Sequence, residues 1–500
     1  MERNPLRLSF VTELTQDQQG IAAASRRGAV FAVTALGAFI ASLDLSIVNV
    51  AFPALERTFS HDRASTLAWV ITGYGIVFGA LLVIAGRTAD RVGRRRIFFT
   101  GLAIFTMGSA LCGLAPSVEL LIAGRLIQGV GAAAILPSSL GLLLGAFPTE
   151  RRSQVVAMWG GIGALAVATG PSLGALLITE FGWRSAFFVN LPVALLAWAV
   201  GRSVLSEARS PDVSHHPDYI GAVMLSTSIA ALVLSISQGP TWGWTSGRIV
   251  AGFVAFAVLG IAFLARSRRH GEPVLDLDMF RSRSFSVANA ATTMYAMGFF
   301  AVLLGNILFL TGVWHYSILT AGLAVTPGPL VVAAVSAPAG RLAGRIGFRP
   351  VLLAGFAVFA GGLIWYLLRV SAAPEFVTVW LPGTLIVGLG IGLTFPVLSA
   401  AAVSSLRPDR FAVGSAVNQT ARQIGGAVGV AILVVVIGSP SGTASAVSAF
   451  HHLWLFGAVM AGASGLVSSL LKSAIPTARA EVTNIEPAAS PDRLTLEEIA

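Results

Sequence analysis

Apolar runs about twenty residues long alternate along this chain with short stretches that hold nearly all of its charge. A helix needs about 20 apolar residues to cross a hydrocarbon core roughly 30 Å thick. On that criterion the pattern predicts fourteen spans, at 28–50, 66–86, 97–115, 119–146, 154–179, 186–206, 219–238, 248–266, 285–312, 320–340, 350–369, 377–403, 411–437 and 450–471. Only the short polar break Glu180–Arg184 separates the fifth from the sixth. Glycines four apart, at Gly75/Gly79, Gly388/Gly392 and Gly425/Gly429, predict closely packed helices.

Composition agrees with a membrane protein. Charged residues are 11% of the chain and hydrophobic ones 55%, whereas a soluble domain carries about 25% charged residues. The net charge of +10 would suggest nucleic acid as the partner of a soluble protein. Here the basic residues fall between the apolar runs, which predicts a lipid bilayer and no nucleic acid. With the N-terminus inside and the spans alternating, 26 of the 33 basic residues lie on the inner side and five on the outer. That is the asymmetry of a protein in the cell's inner (plasma) membrane with both termini cytoplasmic. The two remaining ones, Arg125 and Arg422, lie within spans. No cleavable signal pattern precedes the first apolar run, so that run is expected to stay as a span. Cys112 stands alone, and neither histidine pair, His215–His216 or His451–His452, projects to one side of a helix. No metal site is expected. The chain contains no G-x-x-x-x-G-K-[ST] run, and no cofactor is expected.

Two turns repeat one another. Gly86-Arg-Thr-Ala-Asp-Arg-Val-Gly-Arg-Arg95 follows the second span and Gly340-Arg-Leu-Ala-Gly-Arg-Ile-Gly-Phe-Arg349 the tenth, with six of ten positions identical. Internal repeats mark secondary transporters. The expected fold is an all-α membrane protein of two pseudo-symmetric six-helix bundles plus two inserted helices. Its predicted divisions are a cytoplasmic tail (1–27), an N-terminal bundle (28–206), two inserted spans (207–266), a cytoplasmic linker (267–283), a C-terminal bundle (284–472) and a disordered tail (473–500).

Several motifs resemble those of one family. Gly86-x-x-x-Asp90-Arg91-x-Gly93-Arg94-Arg95-Arg96 resembles the loop signature of the major facilitator superfamily. Leu43-Asp44-Leu-Ser-Ile-Val-Asn49-Val-Ala-Phe-Pro53 resembles the first-span signature of its fourteen-helix drug:proton antiporter family. Arg125-Leu-Ile-Gln128-Gly129-Val-Gly131, Gly170-Pro171-x-x-Gly174 and Trp183-Arg184-x-x-Phe187-Phe188-x-Asn190-x-Pro192 are similar to further motifs of that family. The chain departs from the pattern at Ala157 and Ala166, where the family usually has glycine, and at Gly344, where the first turn has Asp90. It also lacks the extra C-terminal membrane acids of well-known dication pumps in this family, which argues against a dication as substrate. The resemblance implies alternating access, a latch at Gly86, Asp90, Arg91, Gly93 and Arg94, and an antiport role for Gly170, Pro171 and Gly174.

Asp44 lies about 24 Å from the inner edge and Arg125 about 9 Å from the outer, at 1.5 Å per residue. The two therefore share a depth. A charge at mid-membrane costs about 2.5–3.5 kcal/mol on insertion scales, so such residues are usually paired and functional. They are expected to form an intramembrane pair or share a polar cavity, with Asp44 the proton carrier. Arg125, Gln128 and Gly129 share a helix face. Asn418 and Arg422 do likewise near the midplane of the thirteenth span, where no acid of the C-terminal spans can neutralise Arg422. Tyr74, Gln128, Asn306, Asn418 and Arg422 are the expected substrate-cavity residues. Pro171 should kink the fifth span. One membrane carboxylate is too few for an embedded hydrolase, so an enzyme is not expected. The leading expectation is a monomeric exporter of lipophilic small molecules, drug-like or natural-product, in exchange for protons. The alternatives are an uptake symporter on the same fold and a lipid or metabolite exporter.

Overall fold

A computed structural model describes residues 5–209, 218–271, 273–406, 411–438 and 440–471. The predicted tail 473–500 and His215–His216 lie outside them. The helices are α1 (Pro5–Thr58), α2 (Ala64–Leu67), α3 (Trp69–Val92), α4 (Arg94–Leu114), α5 (Val118–Ala146), α6 (Thr149–Phe181), α7 (Ser185–Phe188), α8 (Asn190–Val204), α9 (Tyr219–Trp242), α10 (Gly247–Ser267), α11 (Arg283–Gly312), α12 (Ile318–Val325), α13 (Pro327–Ile346), α14 (Phe348–Arg369), α15 (Leu381–Val403), α16 (Phe411–Ile437) and α17 (Thr443–Ser468). Among the described residues thirteen helical stretches are long and apolar enough to span a membrane. There are fourteen when the two arms of α6, bent by 42° between Val167 and Thr169, count as one.

Each expected span falls on a helix, with several ends shifted by about five residues or more, two of them instructively. α1 continues past residue 50 to Thr58. α3 runs through the first arginine-rich turn to Val92, so Gly86 is an interior helical residue and not the turn its glycine suggested. The turn falls on Gly93, at φ 129°, and in the second copy on the equivalent Gly347, at φ 91°. Residues with a Cβ avoid such backbone angles, and both glycines stop their helices there. The break between the fifth and sixth spans is made in the same way by Gly182.

Two sets of helices are each packed internally. α1, α3, α4, α5, α6 and α8 form one, and α11, α13, α14, α15, α16 and α17 the other. The sets touch where α1 meets α11 and along two seams. On one side α3 lies against α16, where Gly79 O accepts from the Thr420 hydroxyl at 2.6 Å. A side chain at Gly79 would strike Gln423 Cβ. α9 covers this seam, with Ile229 and Val233 clustered on Ile76 of α3 and Ala427, Val428 and Ala431 of α16. α10 packs on α9 and turns Val250, Val254, Val258 and Ile261 outward. The Arg266–Asp218 ion pair, 2.6 Å long, ties the two together.

On the opposite side α6 meets α12 and α13. Away from the arginine-rich end this seam is shut. Ser172 and Thr326 share a 2.6 Å hydroxyl hydrogen bond, and a Cβ on Gly322 would stand 2.7 Å from Pro171 O. Toward the arginine-rich end the glycines of both helices are exposed. Gly160 and Gly161 of α6 and Gly340 and Gly344 of α13 have open space where a Cβ would stand.

Candidate functional site

Asp44 and Arg125 meet inside the first set of helices. Asp44 Oδ2 accepts from Arg125 Nη1 at 2.5 Å, and both side chains are shut off from solvent. α1 supplies the acid and α5 the base. A buried ion pair endures only when its remaining lone pairs and protons are met. Here Asp44 Oδ1 accepts from Gln128 Nε2 at 2.7 Å and Asn190 Nδ2 at 3.0 Å. Arg125 also donates to Gln128 Oε1 at 2.7 Å and, through Nε, to Val70 O of α3 at 2.8 Å. Its guanidinium lies 4.1 Å from the Tyr74 ring centroid, which is within cation–π range. Ser109 of α4 accepts from both amides, at 3.0 and 2.9 Å, and donates to Phe187 O. One polar atom is left over: Asn190 Oδ1 is buried with no partner. Tyr74 and Gln128 therefore belong to this sealed site rather than to an open cavity wall. Six helices build it, α1, α3, α4, α5, α7 and α8, and glycines bring α4 and α5 close enough. A Cβ on Gly108 would stand 2.7 Å from Gln128 N.

The Gly170-Pro171-x-x-Gly174 motif sits against the same stretch of α1. Pro171 has no N–H and crowds the carbonyl four residues back, which is that of Val167, where the helix bends. The freed Val167 O accepts from Ser46 Oγ at 3.0 Å. Side chains at Gly170 or Gly174 would collide with Ser46 or Ile47, at 2.6 and 2.5 Å. The motif thus fixes α6 two and three residues beyond Asp44, and also carries the Ser172–Thr326 contact.

A second polar cluster occupies the other set of helices. Asn418 is buried, donates to Asn289 Oδ1 at 3.2 Å and Thr292 Oγ1 at 3.0 Å, and accepts from Ser399 Oγ. Arg422, one turn on, donates from Nη2 to Ser399 Oγ at 3.4 Å and stands 4.2 Å from the Phe395 ring centroid. Asn306 is elsewhere, accepting from Trp454 Nε1 of α17 at 3.0 Å. It serves packing between α11 and α17.

In the arginine-rich turn Asp90 pairs with Arg94 on the next helix, and Arg94 reaches Gly141 O of α5. The N-terminus of α4 is met by a residue the motif does not contain. The Glu207 carboxylate accepts from Arg95 N at 3.0 Å and Arg96 N at 3.3 Å, as an acid at a helix N-terminus should. Glu207 lies 2.6 Å from where a Gly93 Cβ would be, a second reason for glycine there. Sequence reasoning missed Ser109, Asn190 and Glu207, and in the second cluster Thr292, Ser399 and Phe395. Only Asn190 left a signal, as part of the Trp183–Pro192 motif.

Known proteins place the chain. The "Major Facilitator Superfamily" family profile matches residues 34–217 and 198–430. The chain is 33% identical over 401 residues to "Multidrug resistance protein Stp" of Mycobacterium tuberculosis, across 80% of this chain and 74% of that one. It is 31% identical over 419 residues to "Methylenomycin A resistance protein" of Streptomyces coelicolor, across 83% and 86%. It is 32% identical over 413 residues to "Tetracenomycin C resistance and export protein" of Streptomyces glaucescens, across 82% and 75%. Among solved structures, a bacterial homologue of the human drug peptide transporters PepT1 and PepT2 superposes with a TM-score of 0.63 at 14% identity, covering 89% of this chain and 97% of that one. The nucleoside transporter NupG gives 0.63 at 9%, covering 89% and 100%. The chain is a transporter, not an enzyme: it belongs to the major facilitator superfamily, in the drug:proton antiporter family its motifs resemble.

Proposed function

We propose that the protein exports lipophilic small molecules in exchange for protons by alternating access, with Asp44 as the proton carrier. The observation that carries this reading is the sealed Asp44–Arg125 pair. Among the described residues it is the one place deep in a span where a carboxylate can hold or release a proton. Relatives named for resistance and export support the direction.

In this reading the two sets of helices are the moving bundles, 28–206 and 284–472, and the arginine-rich end faces the cytoplasm. The α6–α12 contact then closes the outer side, and the exposed glycines of α6 and α13 lie toward the inner side. Asp44 is held here as a carboxylate, with three donors and no acceptor. A protonated Asp44 has an O–H to place and a weaker hold on Arg125. Asn190, with its amide turned over, offers Oδ1 to that proton. Arg125 then keeps its bonds to Gln128 and Val70 O and is released from α1. Loading and unloading thus change what ties α1 to α5 and α8, and α1 carries the change through Ser46 and Ile47 to the α6 seam.

The test is proton release from everted vesicles on adding a lipophilic dye such as N-phenylnaphthylamine. Wild type should consume the proton gradient and accumulate dye, and a protonophore should stop both. The Asp44→Asn protein should do neither. Full proton-coupled accumulation by Asp44→Asn sinks the carrier role.

A further inference from the structure

Two arginines stand deep within the spans of this protein, away from the helix ends, and their surroundings differ. Arg125 has a carboxylate, an amide oxygen, a backbone carbonyl and a tyrosine face. Arg422 has one long hydrogen bond to Ser399 and the Phe395 ring, and its Nε is buried with no partner. No ion pair reaches it among the described residues. Helices α11 to α17 contain no Asp or Glu, and the carboxylates of that stretch, Glu375 and Asp409, stand in the sequence between helices. A guanidinium is always charged and offers donors in a planar fork that fits a carboxylate or sulfonate. Ser399 cannot supply that charge, since its hydroxyl is already committed to Asn418 Oδ1 and gives Arg422 only a lone pair. Beside the guanidinium is an aromatic wall. Phe395 packs edge-on to Tyr295 at 4.9 Å and to Phe299 at 5.0 Å. Unlike Arg125, Arg422 is not sealed, its side chain being partly exposed.

We infer that Arg422 is the docking point for an acidic group of the substrate. The exported class is aromatic acids: apolar ring systems bearing a carboxylate, a sulfonate or an acidic phenol. The rings lie against Phe299 and the edge of Phe395, with buried Tyr295 packed behind them, and the anion takes the open side of the guanidinium. This rests on the export reading above, but its test needs no proton gradient.

The probes are anilinonaphthalene sulfonate and N-phenylnaphthylamine, which share their rings and differ in the sulfonate. Equilibrium dialysis against the full chain in phosphatidylcholine nanodiscs, with empty discs as blank, gives the ratio of their affinities. A charge-assisted hydrogen bond predicts a preference for the sulfonate of about tenfold or more in wild type. Arg422→Gln should bring the ratio close to that of a pair with no anion site. Arg422→Lys, which keeps the charge and loses the fork, should fall between. A wild type with no preference overturns the inference, whether it holds both probes or neither. So does a preference that survives Arg422→Gln. Loss of sulfonate binding in phosphatidylglycerol discs would instead give the site to a lipid headgroup, which also overturns it. Protonophore-insensitive accumulation of N-phenylnaphthylamine counts against proton coupling alone and leaves the anion site standing.

Discussion

Asp44 is bound by three side-chain donors, and each does a different job. Arg125 supplies charge, Gln128 links acid to base, and Asn190 carries the spare acceptor. That division gives a sharp expectation for Asn190→Ala. The ion pair survives, but the protonated acid loses its acceptor. Proton release on substrate addition should slow by about tenfold, the effect of roughly 1.4 kcal/mol for one unmet buried group. The pH profile of export should move with it. Stopped-flow pH indicator traces in proteoliposomes would check this, and a profile unchanged from wild type would refute it. Arg125→Leu should be worse than Asn190→Ala in a different way. It leaves a buried carboxylate unpaired, at a cost of about 3–5 kcal/mol, and should lower the yield of folded protein in detergent. The meeting of Asp44 and Arg125 was legible in the sequence, because two opposite charges at one depth have few other places to go. The role of Asn190 was not. Which way α8 is rotated about its axis decides whether Asn190 faces Asp44 or lipid, and one polar residue in an apolar run does not fix that rotation.

At the scale of the element, α6 shows how a short motif sets the angle between helices. Ser46→Ala strips the partner from Val167 O, and an interhelical hydrogen bond of this kind is worth about 1 kcal/mol. Gly174→Leu is harsher, since the new side chain must displace Ile47; overpacking costs about 1–3 kcal/mol. The Gly174 variant should therefore melt lower than the Ser46 variant in a fluorescence-monitored thermal scan. Equal melting temperatures would mean that α1 and α6 do not pack here as described. The kink was predictable from Pro171 alone. That its loosened carbonyl would find a serine on α1 was not, because pairing between spans leaves no periodic trace in either. The arginine-rich turn begins later than the apolar pattern suggests. A glycine just after an apolar run suggests a turn, yet α3 stays helical through Gly86 to Val92, since backbone hydrogen bonding does not stop where the apolar run stops.

For the whole molecule, the number of spans and their alternation could be counted from hydropathy because lipid admits so few backbone solutions. The packing of α9 over the α3–α16 seam could not, as its apolar surface is similar on all sides. The closed α6–α12 seam offers a direct test of rocking. With Cys112 as the sole native cysteine, a Cys112→Ser background allows Ser172→Cys and Thr326→Cys to be introduced together. Their oxygens are 2.6 Å apart in the present state, so an oxidant should bridge the pair. Export should stop and return on reduction. Bridged protein that still transports at full rate would show that this seam never opens.

Having a single ionisable acid deep in its spans also limits what the transporter can achieve. A cell at a membrane voltage of 100 mV gains about 2.3 kcal/mol for each elementary charge that crosses. With one proton per cycle and a neutral cargo, that sustains roughly a fifty-fold difference in concentration. If the cargo leaves as an anion, two charges move each turn and the exponent doubles, so a modest voltage alone could hold such a compound at trace levels inside the cell.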